Sequence, residues 1–176
     1  MPEQTIIPAP PLTAHGEETR LKLIAAATPE FIDQGFRAAR VQQIAKNAGV
    51  RLSAINYHFG GKDGLYLAVL RHHGELAIKQ RPLLTDTEQS LQQHFRFMIH
   101  SLLQRMLDDS QGCQLAQLIL REMVNPTAAQ DDIFQRFQYP QMQQVFSLLR
   151  QILPHADQTA LLRGAVPFTC WCMFYN

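Results

Sequence analysis

Residues 40–66 read RVQQIAKNAGVRLSAINYHFGGKDGLY, and this stretch predicts two short helices. The first has apolar residues at the spacing i, i+3, i+4 and i+7, which is typical of the buried face of a helix: Val41, Ile44, Ala45 and Ala48. Gly49 can then take the left-handed conformation that ends a helix. The second helix is predicted to begin at Ser53, a residue that can cap it, and to turn only Ile55 and Phe59 toward a core. Two short helices joined by a tight turn form a helix-turn-helix, whose second helix enters the major groove of DNA.

The charge around this motif also points to DNA. From Phe36 to Lys62 the chain has no acidic residue and five basic ones: Arg37, Arg40, Lys46, Arg51 and Lys62. The outward side of the second helix carries side chains that can form hydrogen bonds: Ser53, Asn56, Tyr57 and His58. Such a helix can meet phosphates at its edges and bases in its middle.

These residues resemble the DNA-binding domain of the TetR family of transcriptional regulators. The likeness covers about residues 17–70 and is carried by Ala25-Ala26, Phe31, Gly35-Phe36, Ile44-Ala45, Ala48-Gly49-Val50, Tyr57-His58-Phe59, Lys62 and Leu65. The segment 57–62, following residues 16–20, is similar to the CecR-like subgroup of that family. The resemblance implies an all-α protein, in which an N-terminal three-helix helix-turn-helix domain precedes a C-terminal helical bundle for ligand binding and dimerisation.

The motif and the resemblance together predict how the protein contacts DNA. The residues expected to face the edges of base pairs are Gln42, Arg51, Leu52, Ser53 and Asn56. Those expected to hold phosphates are Arg40, Tyr57, His58 and Lys62. Arg40 stands where the family often has a threonine that caps the following helix. Because a guanidinium cannot accept hydrogen bonds from backbone amides, a phosphate contact is the better interpretation of Arg40.

The chain is predicted to divide into three parts. Residues 1–14 hold four prolines and no Lys or Arg, so we expect a disordered arm rather than an arm that reads the minor groove. Residues 15–62 form the DNA-binding domain. Residues 63–176 form the ligand-binding and dimerisation domain, entered through a connecting helix at about residues 62–80.

The first helix of the DNA-binding domain is expected to run from about Glu17 to Gln34, with Gly35 ending it and Pro29 bending it. Its predicted buried face consists of Leu21, Ile24, Ala25, Thr28, Phe31 and Ile32. The connecting helix is predicted to carry Leu65, Val69, His72 and Leu76 on one side.

From Thr87 onward every apolar pattern is helical. One long helix is expected up to Asp108, a shorter one up to Asn125, and a third over about residues 128–153 with Pro140 as a kink or boundary. Residues 164–175 are almost all apolar, so we expect a dimer interface there: Phe168, Trp171, Phe174 and Tyr175. The sequence stops inside this pattern at Asn176, so the pattern predicts either a missing tail or a truncated chain.

The C-terminal half is rich in aromatic residues and methionine. Most of these side chains are expected to form the core, but such a bundle can also hold an apolar ligand between its helices. The resemblance implies an inducer pocket, and the residues predicted to line it are Phe95, Met98, Leu102, Gln117, Phe134, Phe137 and Trp171. The candidate polar anchors are His94, Arg96, His100, Gln114, Gln117 and Glu122.

Composition and motifs argue against other classes of protein. The chain has 176 residues and a net charge of +1. Its three cysteines do not have the spacing of a disulfide framework, which favours a reducing cytoplasm. It has no apolar run long enough for a bilayer and no secretory signal. No catalytic or zinc-binding motif occurs, and His72 and His73 would point about 100° apart on a helix. We therefore expect no enzyme activity, cofactor, metal or membrane partner.

The sequence thus predicts a cytoplasmic homodimer that binds double-stranded operator DNA as a repressor. A small apolar or amphipathic inducer would release it from a near-palindromic site. Two alternatives remain open. An architectural or adaptor DNA-binding protein would have a fully packed bundle and no inducer. An enzyme that binds a small molecule on a helical scaffold would have titratable side chains converging in a pocket.

Overall fold

The computed structural model describes residues 14–80, 90, 93, 96–97, 100, 112–157, 159–161 and 163. Its helices are α1 (Ala14–Ala38), α2 (Val41–Asn47), α3 (Ser53–Phe59), α4 (Lys62–Gln80), α5 (Gly112–Val124), α6 (Gln130–Ile133), a π-helix (Phe134–Gln138) and α7 (Tyr139–Ile152). No strand occurs among these residues, and the predicted all-α fold is confirmed. The predicted arm (apart from Ala14), most of the long helix before Asp108 and the apolar segment 164–175 lie outside the described residues. None of the described helices is both long and apolar enough to cross a membrane.

Helix α1 begins at Ala14, three residues before the predicted start. Pro29 lies inside it, and the backbone leaves helical geometry at Gly35, where φ is 74° and ψ is 166°. This conformation strains any residue with a Cβ, which explains why glycine ends the main body of the helix at the predicted place. The last turn, up to Ala38, follows after this break.

The buried face of α1 differs from the predicted one. The buried residues are Leu23, Ile24, Ala27, Thr28 and Phe31. The prediction was therefore right for Ile24, Thr28 and Phe31, but Leu21 is 45% exposed and Ala25 is exposed as well. Helix α4 packs along α1 and covers the side of Leu23 and Ala27. The buried face is thus turned by less than one residue step from the predicted one, with which it shares Ile24, Thr28 and Phe31.

The predicted helix-turn-helix is present. Ile44, Ala45 and Ile55 are buried, and Val41, Ala48 and Phe59 are half-buried against the same core. Gly49 ends α2 with a φ of 68°, the left-handed value expected for it. Helix α3 begins at Ser53 as predicted, but Ser53 does not cap it. The capping position is occupied by Leu52, whose side chain has no hydrogen-bond acceptor.

Helix α4 connects the DNA-binding unit to the rest of the described chain, because it packs against α1, α3 and α5. Its buried residues include the predicted Leu65 and Val69, whereas His72 and Leu76 are only half-buried. Tyr66 and His73 are buried without having been predicted to be. The Tyr66 ring lies 4.8 Å from the Phe31 ring and 5.0 Å from the Phe36 ring, measured between centroids.

The single helix predicted over residues 128–153 consists of three helical pieces. Helix α6 passes into the π-helix at Phe134, and α7 follows with Pro140 in its first turn. Proline lacks an amide hydrogen, so it is tolerated where a helix starts but not where the ladder of hydrogen bonds continues. Pro140 therefore marks a boundary, which was one of the two predicted outcomes.

Candidate nucleic-acid interface

The exposed face of α3 carries Ser53 and Asn56, which are predicted to read bases, and Tyr57, which is predicted to hold a phosphate. Ser53, Asn56 and Tyr57 are exposed and lie at i, i+3 and i+4, so they share one side of the helix. Tyr57 is 79% exposed, whereas Ile55 on the opposite side is buried. The other predicted base contacts are exposed as well: Gln42, Arg51 and Leu52. The structure thus places all five predicted base contacts at the surface.

The position of α3 depends on a close approach to α4. The N–H of Gly60, at a φ of 71°, donates to the backbone oxygen of Asn56 at 2.9 Å and ends α3. A Cβ atom on Gly64 would lie 1.8 Å from the backbone oxygen of Phe59. Only glycine can occupy that position, so the first turn of α4 packs directly against the end of α3.

The start of α2 is held by a residue that sequence analysis missed. Arg40 precedes α2 with extended dihedral angles, and its side chain makes no cap, as predicted. Its backbone N–H instead donates to Oε1 of Glu30 on α1, at 2.9 Å. This bond leaves the exposed Arg40 side chain available for another partner. A charge-assisted bond between residues ten apart in sequence has no local signature by which it could have been predicted.

Two basic side chains of this region lie on aromatic rings. The Nζ atom of Lys62 lies 5.1 Å from the centre of the Phe36 ring and donates to the backbone oxygen of Arg37 at 3.1 Å. The Arg20 guanidinium lies 5.2 Å from the centre of the Phe59 ring. Lys62, predicted to bind a phosphate, therefore also joins α4 to the last turn of α1. Arg20 was not predicted, and it adds a cation beside α3.

His58 is half-buried between the rings of Tyr57 and Phe59. Its Nδ1 atom is buried and has no hydrogen-bond partner in the part of the chain that is described. Leaving a buried polar atom without a partner costs free energy.

The DNA-binding unit is attached to the later helices by contacts with the C-terminal part of α5 and with α6. The Tyr66 hydroxyl donates to Oε2 of Glu122 on α5 at 2.9 Å. The neighbouring Arg121 donates from its guanidinium to the backbone oxygen of Asp33 at 2.9 Å, beside the break in α1. Further along α4, Nε of Arg71 donates to Oδ2 of Asp132 at 2.9 Å, and a second bond joins the same two side chains.

These contacts shift the ionisation of the groups involved. Burial, followed by the nearby Glu122 carboxylate, raises the pKa of the Tyr66 hydroxyl well above its ordinary value. The hydrogen bond from Arg71 lowers the pKa of Asp132. Burial lowers the pKa of His73 from 6.5 to about 4, and its ring is 2.9 Å from the Thr28 hydroxyl on α1. His73 is therefore a neutral packing residue, as predicted for this histidine pair.

A partly open cavity of about 300 Å³, with Met123 and Phe134 exposed at its edge, lies where α5 meets α6 and the π-helix. Its described lining consists of Ile119, Glu122, Met123, Gln130, Asp131, Ile133, Phe134 and Gln138. Of the predicted ligand contacts, Phe134 lines this cavity. Phe137 instead packs against α4, where a Cβ atom on Gly74 would lie 2.6 Å from its ring. Gln117 is exposed on α5 and is not among the described lining residues.

The other predicted ligand contacts lie outside the described residues: Phe95, Met98, Leu102 and Trp171. The same holds for the predicted dimer contacts Phe168, Trp171, Phe174 and Tyr175. Among the described residues there is no group of three or more His, Cys, Asp or Glu side chains that could hold a metal ion.

Two family profiles match the chain. Residues 23–69 match the family described as bacterial regulatory proteins, tetR family. Residues 91–166 match the C-terminal domain of the HTH-type transcriptional dual regulator CecR. Both matches agree with the resemblance seen in the motif around α3.

The curated relatives are transcriptional regulators. The dual regulator CecR of Shigella flexneri is 34% identical over 130 residues, which are 68% of this chain and 58% of CecR. The transcriptional activator FasR of Mycolicibacterium smegmatis is 35% identical over 101 residues, 56% of this chain and 45% of FasR. The chain thus spans about half the length of these curated relatives.

Solved structures share the fold. HlyIIR, a hemolysin II transcriptional regulator, superposes with a TM-score of 0.64 at 20% identity, covering 90% of this chain and 87% of HlyIIR. The multidrug binding protein EbrR, complexed with imidazole, gives a TM-score of 0.59 at 22% identity, covering 88% of this chain and 82% of EbrR. Identities this low establish the common fold alone.

Proposed function

Because the chain belongs to the TetR family of bacterial regulatory proteins, we propose that it is a DNA-binding transcriptional repressor released by a small apolar or amphipathic inducer. It acts in the cytoplasm as a homodimer on a near-palindromic operator. The observation that carries this proposal is α3, whose exposed face presents Ser53, Asn56 and Tyr57 while Ile55 holds it in the core. Arg51, just before α3, and Arg40, just before α2, add exposed positive charge to this unit.

The proposed DNA contacts follow the two predicted roles. Arg51, Leu52, Ser53 and Asn56 read base edges together with Gln42, and Arg40, Tyr57, His58 and Lys62 hold phosphates. A homodimer would place its two copies of α3 about 34–36 Å apart, or a small multiple of that, on successive major grooves. We propose the apolar residues Phe168, Trp171, Phe174 and Tyr175 as the dimer interface. The domain division is proposed to stay at residues 15–62 and 63–176.

Helix α4 is the proposed route from inducer to DNA. Its residues Tyr66, Arg71 and Gly74 contact α5, α6 and the π-helix, respectively. The partners of these residues are Glu122, Asp132 and Phe137, and each belongs to a segment that also lines the cavity. A ligand that fills the cavity would move these segments and, through α4, both copies of α3.

The direct test is a pair of titrations with a fluorescent operator duplex selected from random DNA. The protein should bind the selected duplex with a strong salt dependence, because Lys and Arg release counter-ions from phosphates. An inducer that weakens DNA binding must itself be bound more weakly, by the same factor, when operator is present. Failure to select any duplex would contradict the proposal. A reporter gene behind the selected operator then gives the sign of regulation, since the named relatives include both a dual regulator and an activator.

The alternatives are less well supported. An architectural DNA-binding protein with no inducer has no need of the cavity beside Glu122. An enzyme could use Glu122 and Asp131, the two carboxylates of that cavity, but the matching families and the named relatives are regulators.

A further inference from the structure

A buried carboxylate with no counter-ion among the described residues lies in the wall of the cavity. Glu122 is only 3% exposed. Its two oxygens accept hydrogen bonds from the Tyr66 hydroxyl at 2.9 Å, from the Thr127 N–H at 2.7 Å and from the Thr127 hydroxyl at 2.8 Å. All three partners donate, which is the environment of an ionised carboxylate.

The charge of Glu122 is nevertheless not neutralised within the described part of the chain. No ion pair to it is formed by a described Lys, Arg or His side chain. The adjacent Arg121 side chain reaches to Asp33 instead, and Arg71 and Arg136 both pair with Asp132. Buried charges in proteins are ordinarily paired, whereas Glu122 has its hydrogen bonds but no cation among the residues that the structure describes.

The rest of the described lining suits the two ends of an amphipathic molecule. Ile119, Met123, Ile133 and Phe134 offer apolar surface. Asp131 adds a second carboxylate, and Gln130 and Gln138 add neutral polar groups, while none of the described lining residues is basic. Among the described lining residues an anionic ligand would meet two like charges and no cation, whereas a cation would meet opposite charge beside an apolar surface.

We propose that this cavity binds a small amphipathic organic cation, namely a protonated amine with a short apolar chain. The ammonium group lies against Glu122 and Asp131, and the chain lies over Phe134 and Met123. A carboxylate offers about four acceptor positions, and Glu122 uses three of them, so an ammonium can bind without displacing Tyr66. A cavity of about 300 Å³ suits a ligand of this size. This inference rests on the proposed function, since the cation would be the inducer.

The test compares three molecules of equal length with the full chain by titration calorimetry at pH 7: octylammonium, octanoate and 1-octanol. The amine is protonated and the acid ionised at this pH. We expect octylammonium to bind about tenfold or more tightly than either of the others, a ratio that corresponds to about 1.4 kcal/mol. Equal or tighter binding of octanoate or 1-octanol, or no binding of octylammonium, would overturn the inference.

Variants locate the site. Glu122→Gln removes the charge and keeps a side chain of the same shape, so the preference for octylammonium should disappear. Asp131→Asn should reduce it to a smaller extent, because Asp131 is exposed. Glu17→Gln, at the exposed start of α1, changes the net charge equally and should leave the preference intact. A preference for octylammonium retained by folded Glu122→Gln would also overturn the inference. If that variant is unfolded, the inference is tested by the comparison of the three ligands and by Asp131→Asn, which should weaken the preference.

The two proposals can fail separately. A protein that binds its selected operator but does not prefer octylammonium contradicts only the choice of ligand. A protein that binds no DNA contradicts the regulatory function, whatever its affinity for amines.

Discussion

The Tyr66 hydroxyl and the Glu122 carboxylate form a hydrogen bond of 2.9 Å between helices α4 and α5, although the two residues are 56 positions apart in sequence. The Tyr66 ring packs against Phe31 and Phe36, which flank the break in α1 at Gly35. Glu122 lies in the wall of the cavity. A single buried bond thus links the helix that follows the DNA-binding unit to the proposed ligand site.

Removing this bond should destabilise the protein. Tyr66→Phe keeps the ring but leaves Oε2 of Glu122 buried without its donor, which costs about 1–3 kcal/mol. The free energy of unfolding in urea measures this loss. Tyr57→Phe removes an equivalent hydroxyl from a ring that is 79% exposed, and should change stability by less than about 0.5 kcal/mol. Equal effects of the two variants would contradict the structural role of the Tyr66 bond.

Two substitutions in the DNA-binding unit should have different effects on DNA binding. Asn56→Ala should relax the preference at one base pair, at a cost of about 1–3 kcal/mol on the selected operator and little on random DNA. Arg40→Ala should weaken binding to every sequence. The logarithm of the binding constant should also fall less steeply with the logarithm of the salt concentration, by about one unit of slope. Lys62→Ala is a less direct test, because Lys62 also binds the Arg37 carbonyl. Parallel losses for Asn56→Ala on both duplexes would contradict its assignment to base reading.

The stability of the protein should fall in mild acid because of His73. Burial lowers the pKa of this histidine from 6.5 to about 4 in the folded state. Between these two values the unfolded chain binds more protons than the folded one, so the free energy of unfolding decreases as the pH falls through that window. Above about pH 6.5 this group contributes no pH dependence. Asp132, whose pKa is lowered, acts in the same direction only at still lower pH.

The measurement for this prediction is the urea midpoint as a function of pH. His73→Gln should flatten the curve between pH 6.5 and 4, the two values that bracket the titration. His155→Gln, an exposed position after α7, should leave the slope unchanged. A slope that survives in His73→Gln would assign the pH dependence to another group.

The effect of Gly74→Ala on the free energy of unfolding should change sign when Phe137 is also replaced, as a double-mutant cycle can show. Gly74→Ala would place a Cβ atom 2.6 Å from the Phe137 ring, and overpacking of this kind costs about 1–3 kcal/mol. In a Phe137→Ala background the clash is absent, and alanine stabilises a helix by about 0.8–1 kcal/mol over glycine. Gly74→Ala should therefore destabilise the first background and stabilise the second. The same sign in both would mean that α4 and the π-helix do not touch at this position.

Sequence alone determined the local structure of the DNA-binding unit. The spacing of Val41, Ile44 and Ala45 predicts α2, and the positive φ of Gly49 and the break at Gly35 were both expected from glycine. The boundary at Pro140 was one of two predicted outcomes. These features depend on a few consecutive residues, because helical periodicity, the left-handed conformation and the missing proline amide act within one or two turns.

Only the tertiary structure decided which surfaces meet. Two apolar stripes compete on α1, and α4 covers the one with Leu23 and Ala27 rather than the one with Leu21 and Ala25. The bonds from Arg40 to Glu30, from Tyr66 to Glu122 and from Arg71 to Asp132 join residues 10, 56 and 61 positions apart. A polar side chain looks the same in sequence whether it faces water or a distant partner, because its partner is set by how whole helices pack. For that reason Glu122 was one of several candidate anchors in the sequence, and it became a specific buried charge only when α4, α5 and α6 came together.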